Sequence, residues 1–339
     1  MSTPSLGSPL PPAGRDLTSR HRAKPIADYA ARIASPRNVL FLFLVTVSLF
    51  IFWAPLKALL HYALWGDNQY DKYSYTMAIP FISLALVYFE GSKIFAGTQY
   101  CFRVGFILLL TGVILNGFAE RALPQVGVDD SLSTKILALV IFWLAAFILC
   151  YGTRAFRAGA FPLLFLLLTV PIPDGLLDKP ITAVQYGSTE VCSLAFSLAG
   201  VPVLRNGFVF ALANNTIEVA QECSGIHSTL AIFIISLVAG YLFLSSLWKK
   251  VVLVLFVLPI VCLTNGLRIA GLTLLAEYVD PSFLHGSLHH EGGMGFFLLA
   301  LLLLFAILQL LRKGQARMSP TVKFPPSGGE ASAPLSVPL

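Results

Sequence analysis

Nothing limits how this chain can fold more than its repeated return to long apolar stretches. The hydrocarbon core of a bilayer is about 30 Å thick, so a helix needs about 20 consecutive apolar residues to cross it. Stretches of roughly that length recur from Asn38 onward. Eight spans are expected: Asn38 to Ala54, Tyr75 to Phe89, Phe102 to Phe118, Lys135 to Tyr151, Ala160 to Ile172, Ile226 to Leu247, Val251 to Ala276 and Gly293 to Leu311. The second and fifth are short and contain Pro80 and Pro162, residues that interrupt a helix ladder. With 56% hydrophobic and 12% charged residues among 339, the chain lacks the polar surface of a soluble domain of its size. The expected class is an all-α polytopic membrane protein.

The ends differ from the middle. Residues 1–37 are rich in Pro, Ser and Arg and residues 314–339 in Pro, Ser and Gly, compositions that cannot bury enough apolar surface to order themselves. Both are expected to be disordered cytoplasmic tails around one transmembrane domain, residues 38–311. No short apolar region with a small-residue cleavage site opens the chain, so the first span is the expected targeting signal.

The net charge of +6 matters less than where the cations fall. Arg15, Arg20, Arg22, Lys24, Arg32 and Arg37 precede the first span. Lys93 and Arg103 follow the second, Arg154 and Arg157 the fourth, Lys249 and Lys250 the sixth, and Arg312, Lys313 and Arg317 the eighth. All of these loops fall on one side. The positive-inside rule makes that side the cytoplasm, with both termini inside, and reads each cluster as a topology mark in place of a nucleic-acid site.

The longest polar segment, Pro173 to Glu222, is then extracytoplasmic. It follows "TVPIPDG", whose prolines stop the fifth span, and its first half, Leu176 to Leu198, has the helical spacing of a surface helix. After Gly200, in "VPVLRNGFVF" and "NNTIEVAQ", a turn-forming Asn-Gly or Asn-Asn separates β-branched and apolar runs, which predicts a small hairpin or an extended cover. Cys223 stands where this cover re-enters the membrane. The seventh span runs outward from Lys250 and delivers Arg268 about 27 Å along its axis, near the outer boundary, with Asn265 three residues earlier on the same face. "DPSFLHGSLHHEGGMGFF" then places His285, His289, His290 and Glu291 just before the eighth span. Three polar sites thus converge at one depth.

Each of these residues has a plain reading beside the functional one. Cys101, Cys150 and Cys262 read as small packing residues. Cys192 and Cys223 both lie outside, where an oxidising compartment can bridge them, so a disulfide competes with a nucleophilic role for Cys223. His227 reads as a satisfied interfacial residue, Glu218 and Glu222 as solvated carboxylates, and Arg268 can be a helix anchor.

"ECSGIHSTLAIFIISLVAGYLF", "TNGLRIAGLTLLAEYV" and "HGSLHHEGGMGFFLLALLLLF", in that order, resemble the three signature segments of the exosortase/archaeosortase family, bacterial exosortase type. "TMAIPFISLALVYF" and "PIPDG" also look like the family's second span and proline-marked loop, so the resemblance covers roughly residues 40–311. It implies that Cys223 is the nucleophile, Arg268 the family's arginine and Asn265 the asparagine of the same segment. For the histidine, His289 stands four residues before Gly293 as the family's does, and His290 is nearly as well placed. The implied activity is that of a membrane cysteine peptidase and transpeptidase. Its implied substrates are secreted proteins ending in a short motif, a hydrophobic helix and a basic tail, attacked at the outer face of the inner (plasma) membrane and passed to an acceptor nucleophile. Neither cofactor nor metal is implied.

Two other readings stand beside it. His285 and His289, at i and i+4 with His290 and Glu291 alongside, have a spacing that can hold zinc, although His-Glu-x-x-His is absent. A transporter is the second, with Arg268 as its binding charge. It expects polar residues at the midplane, and here they gather at one face.

Overall fold

The computed structural model describes residues 35–65, 73, 75–122, 128–220, 226–280 and 293–316. Its helices are α1 (Pro36–Ile51), α2 (Trp53–Trp65), α3 (Ala78–Phe89), α4 (Gly91–Ile94), α5 (Phe102–Ala122), α6 (Val128–Ala158), α7 (Ala160–Phe165), α8 (Asp174–Leu198), α9 (Ile226–Phe243), α10 (Leu247–Leu255), α11 (Val257–Tyr278) and α12 (Gly293–Ala316). Three short strands, β1 (Leu204–Asn206), β2 (Val209–Ala211) and β3 (Thr216–Glu218), lie between α8 and α9. The chain is a multi-pass, mostly helical membrane protein.

All eight expected apolar segments are helical, but they are not eight straight crossings. Phe102–Arg121, Asp130–Ala158, Leu247–Tyr278 and Gly293–Lys313 are long and apolar enough to cross alone. Two more crossings follow if Pro36–Ile51 with Trp53–Trp65, bent by 75°, and Tyr75–Phe89 with Gly91–Gly97, bent by 70°, each count as one span. Ala160–Thr169 and Ser228–Phe243 are shorter. Among the described residues, four to six helices or bent pairs are thus long and apolar enough to cross, which leaves the expected count of eight unconfirmed. Pro80 and Pro162 break nothing, because each sits in the first turn of its helix, α3 or α7, where a missing N–H forgoes no ladder bond.

The described residues divide into two compact units, one from Met1–His61 and Ala78–Val170, the other from Tyr62–Met77 and Pro171–Leu339. In the first, α6 is the central helix, with 72% of its apolar window buried. α5 runs antiparallel to it, so close that a Cβ on Gly105 would lie 2.5 Å from Leu149 Cβ. α1 crosses its other face, where the Trp143 indole donates to Ser48 Oγ at 2.8 Å and the Tyr151 hydroxyl to Asn38 Oδ1 at 2.7 Å. The helix breaks at Gly152, whose φ of 86° suits glycine alone, and a Cβ there would lie 2.3 Å from the Gln99 carbonyl. Beside the break, the Gln99 and Cys101 amides donate to the carbonyls of Tyr151 and Leu149. Arg37 donates to the Thr98 carbonyl at 2.9 Å and lies 4.7 Å over the Tyr100 ring. Segments expected on the cytoplasmic side thus meet at one end of this unit.

In the second unit, the cations mark one end of the helices. Lys249 Nζ is buried and donates to the Leu311 carbonyl at 2.9 Å, Lys250 stands 5.2 Å over Tyr241 and Arg312 5.3 Å over Phe243. The end of α9, the start of α10 and the end of α12 meet here. Ser228, Arg268 and Gly293 lie toward the opposite ends of α9, α11 and α12.

The polar segment between the fifth and sixth apolar stretches departs from expectation in one respect. The hairpin is present as a three-stranded antiparallel sheet, β1-β2-β3, with Arg205 opposite Phe210 and Phe210 opposite Ile217. Gly207, at φ 62°, and Phe208 turn the first pair, and Ala213 and Asn214 the second. Arg205 forks onto the Glu190 carboxylate at 2.7 and 3.1 Å, which holds that exposed carboxyl below its ordinary pKa. The helix α8, however, does not lie flat on the membrane surface. It runs parallel to α11: Val184 meets Cys262, Ser188 meets Asn265, and Cys192 meets Gly266. Its buried side holds Gln185, Ser188, Thr189 and Cys192 together with Val184 and Phe196, while Leu176, Tyr186, Leu194 and Leu198 are exposed along with Lys179 and Glu190. A helix that turns leucines outward and small polar residues inward has the pattern of an apolar solvent, as small residues at membrane helix contacts do.

Candidate functional site

Close approach of α8 and α11 comes first in building the site. A Cβ on Gly187 would lie 2.3 Å from Cys262 Sγ, and one on Gly266 would lie 2.5 Å from Val191 Cβ and 2.7 Å from the Ser188 carbonyl. Two glycines one turn apart therefore let the backbones touch. Across this contact Asn265 Nδ2 donates to Ser188 Oγ at 3.0 Å, and the Cys192 thiol to the Gly266 carbonyl at 3.2 Å. Asn265 and Ser188 are both buried.

One turn beyond Asn265, half-buried Arg268 lines a small cavity with Asn265, Thr264, Ser228, Gly293, Phe296 and Phe297 among its neighbours. The cavity is about 20 Å³, room for a water molecule, which needs roughly 10–15 Å³. α9 and α12 both reach it, through Ser228 and Gly293. The guanidinium at its wall suits it to negative charge, such as a thiolate or a carbonyl oxygen on its way to an oxyanion.

Of the residues singled out in the sequence, Arg268 and Asn265 are thus brought together at this cavity. Cys223, His289 and His290 lie outside the described residues, as do Glu222, His285 and Glu291 and the side chain of His227. Cys192, the competing partner for Cys223, is a free thiol, fully buried and turned into the α8–α11 contact. Among the described residues, no three His, Cys, Asp or Glu side chains gather as a metal site would require.

Sequence reasoning missed Ser188, Gln185 and Glu277. Gln185 Nε2 donates to the Val219 carbonyl at 2.6 Å, and the Glu277 carboxylate accepts from Asn214 N at 3.0 Å and from Asn214 Nδ2 and Asn215 Nδ2 at 2.9 Å. Through these bonds α8 and α11 hold the sheet that leads to Cys223. The signal that was available is the small-residue run Gly187, Ser188 and Cys192, spaced for a helix contact in an apolar medium.

The model of a family described as transmembrane exosortase matches residues 65–306, from the end of α2 to within α12. No curated protein and no solved structure matches the chain.

Proposed function

The chain belongs to the transmembrane exosortase family, and from that premise we propose that it is a membrane cysteine transpeptidase whose nucleophile, Cys223, works at the cavity lined by Arg268. The observation that carries this reading is the meeting of the first turns of α9 and α12 with Arg268 and Asn265. Cys223 stands five residues before Ser228, and His289 and His290 four and three before Gly293. At up to about 3.5 Å per residue, these short tethers keep the Cα of Cys223 within roughly 18 Å of that of Ser228 and the Cα atoms of His289 and His290 within roughly 14 Å of that of Gly293.

The chemistry follows from the groups. A free thiol has a pKa near 8.5, and an adjacent cation lowers it toward a thiolate. Cys223 Sγ attacks the scissile carbonyl carbon of a secreted protein bearing a C-terminal sorting signal. Arg268, which stays protonated, stabilises the oxyanion. The C–N bond breaks as His289 or His290 gives a proton to the leaving amine, and a thioester remains on Cys223. An acceptor nucleophile of the envelope then attacks the thioester and yields its proton to the same imidazole. No metal or cofactor enters these steps. Incubating the full-length protein with a tailed substrate should give an adduct at Cys223 that hydroxylamine releases; an adduct resistant to hydroxylamine, or formed elsewhere, refutes the mechanism.

The proposed orientation has both termini in the cytoplasm, with the tails 1–37 and 314–339, and the cavity outside, because Lys249, Lys250 and Arg312 gather at the far ends of the same helices. Leu204, 80% exposed on β1, is a clean reporter. Leu204→Cys is expected to react with a membrane-impermeant maleimide in intact cells, and Lys313→Cys only after permeabilisation. The reverse pattern overturns the orientation.

A further inference from the structure

One end of the first unit carries a cavity that no step of the proposed chemistry uses. Ser35, Arg37, Phe95, Thr98, Tyr100 and Tyr151 line it, and at about 730 Å³ it has the size of a small-molecule site. Its polar centre is Arg37. Nη1 of the guanidinium donates to the Thr98 carbonyl at 2.9 Å and to the Thr98 hydroxyl, and the guanidinium carbon lies 4.7 Å from the centre of the Tyr100 ring. These contacts hold the fork in place through one nitrogen, which leaves the donors of Nε and Nη2 for a guest, and among the described residues no carboxylate pairs with it. The surrounding charge has one sign. Lys93, Arg103, Arg154 and Arg157 are exposed on the segments that meet here, against one carboxylate, Glu90, and among the described residues none of the four is ion-paired. Exposed apolar side chains lead away from the cavity, Val39, Leu42 and Phe43 on α1 and Phe102, Phe106 and Ile107 on α5. We propose that this cavity binds an anionic phospholipid, with Arg37 on the headgroup phosphate and the acyl chains along α1 and α5. A guanidinium fork matches phosphate oxygens, and a basic pocket between membrane helices at the end proposed to face the cytoplasm is where anionic lipids are presented. A choline headgroup would suit the aromatic rings, but its cation is repelled by Arg37. A soluble anion would satisfy Arg37 and leave the apolar path unused. The site is independent of the cysteine mechanism.

A topology mark at Arg37 needs only charge, and an anchor for α1 needs only the bond to Thr98; a lipid site predicts selectivity. Full-length protein in detergent micelles is titrated at physiological salt with phosphatidylglycerol and with phosphatidylcholine, and single-lipid adducts are measured by native mass spectrometry. Phosphatidylglycerol is expected to bind about tenfold more tightly, and Arg37→Gln to remove about that factor, the loss typical of one hydrogen bond to a charged group. Glutamine can still donate to the Thr98 carbonyl, so the variant loses the charge and keeps the tie. Tyr100→Ala changes a partly exposed ring, and its expected loss of about fivefold decides the matter alone if Arg37→Gln fails to accumulate. Arg157→Gln, at an exposed cation outside the cavity lining, should leave the selectivity in place, because salt screens it from the headgroup. Equal binding of the two lipids, or equal loss in Arg157→Gln and Arg37→Gln, overturns the site in favour of diffuse attraction. Displacement of phosphatidylglycerol by millimolar inorganic phosphate overturns it in favour of a free anion. Selectivity that survives Arg37→Gln and disappears on deletion of residues 2–34 belongs to the basic N-terminal segment and also overturns it.

Discussion

Cys223→Ala and Cys223→Ser are expected to abolish processing of a tailed substrate, while Cys192→Ala leaves it largely intact. The serine variant is the sharper of the two, since its hydroxyl keeps the shape but is not ionised at neutral pH without a strong base. Cys192 differs in its surroundings. It is fully buried between α8 and α11 and its thiol donates to the Gly266 carbonyl, so alanine there removes a packing contact and a weak hydrogen bond and no reacting group. Processing is followed in cells by the mobility of the substrate, with immunoblots showing that each variant accumulates. Equal loss in both variants, with a mobility shift of the parent on reduction, would instead mean that the two cysteines form a disulfide.

Arg268→Lys is expected to lower processing about 100- to 1,000-fold, the loss typical of removing one oxyanion donor and equivalent to roughly 3–4 kcal/mol of transition-state energy. Lysine keeps the charge but has no planar fork of donors, so it cannot hold the oxyanion and the cavity wall at once. If Arg268 only anchored the outer end of α11, lysine would serve, since either cation can reach the interface. The described geometry favours the first outcome. Arg268 is half-buried and lies beside Gly293, where a Cβ would come 3.7 Å from the guanidinium, so it faces the start of α12 and the cavity. The decisive measurement pairs substrate processing with iodoacetamide labelling of Cys223. Near-normal values of both in the lysine variant would remove Arg268 from the mechanism.

Much of this was legible in the sequence, and the parts that were not have identifiable causes. Apolar length located the long apolar helices among the described residues, because the bilayer sets a minimum run that few other structures need. It could not reveal direction. Hydropathy is blind to the 75° bend between Ile51 and Trp53 and to the break at Gly152, both of which depend on backbone angles. The Asn-Gly and Asn-Asn turns announced the hairpin, but the third strand depended on Glu277, sixty residues downstream, gripping Asn214 and Asn215. For α8, periodicity gave the helix but not its faces. The spacing gave no reason to expect Leu194 and Leu198 exposed with Ser188 and Cys192 buried. At the site, Arg268 and Asn265 were found by motif, whereas Ser188 and Gln185 belong to no motif and become visible only once α8 is laid along α11.

That pairing has a consequence for how the protein is made. α8 is too polar to count as a span on its own, and the groups that satisfy Ser188 and accommodate Gly187 belong to a helix that ends 80 residues later, from Leu198 to Tyr278. Synthesis proceeds at roughly 5–20 residues per second, so α8 waits about 4–16 s for its partner. Through that interval Ser188 has no Asn265 to meet, and an apolar surrounding offers it little else to bond. Insertion of this segment is therefore completed after translation of α11, and a chain stalled or truncated before Tyr278 leaves α8 as the exposed, polar surface that membrane quality control would recognise.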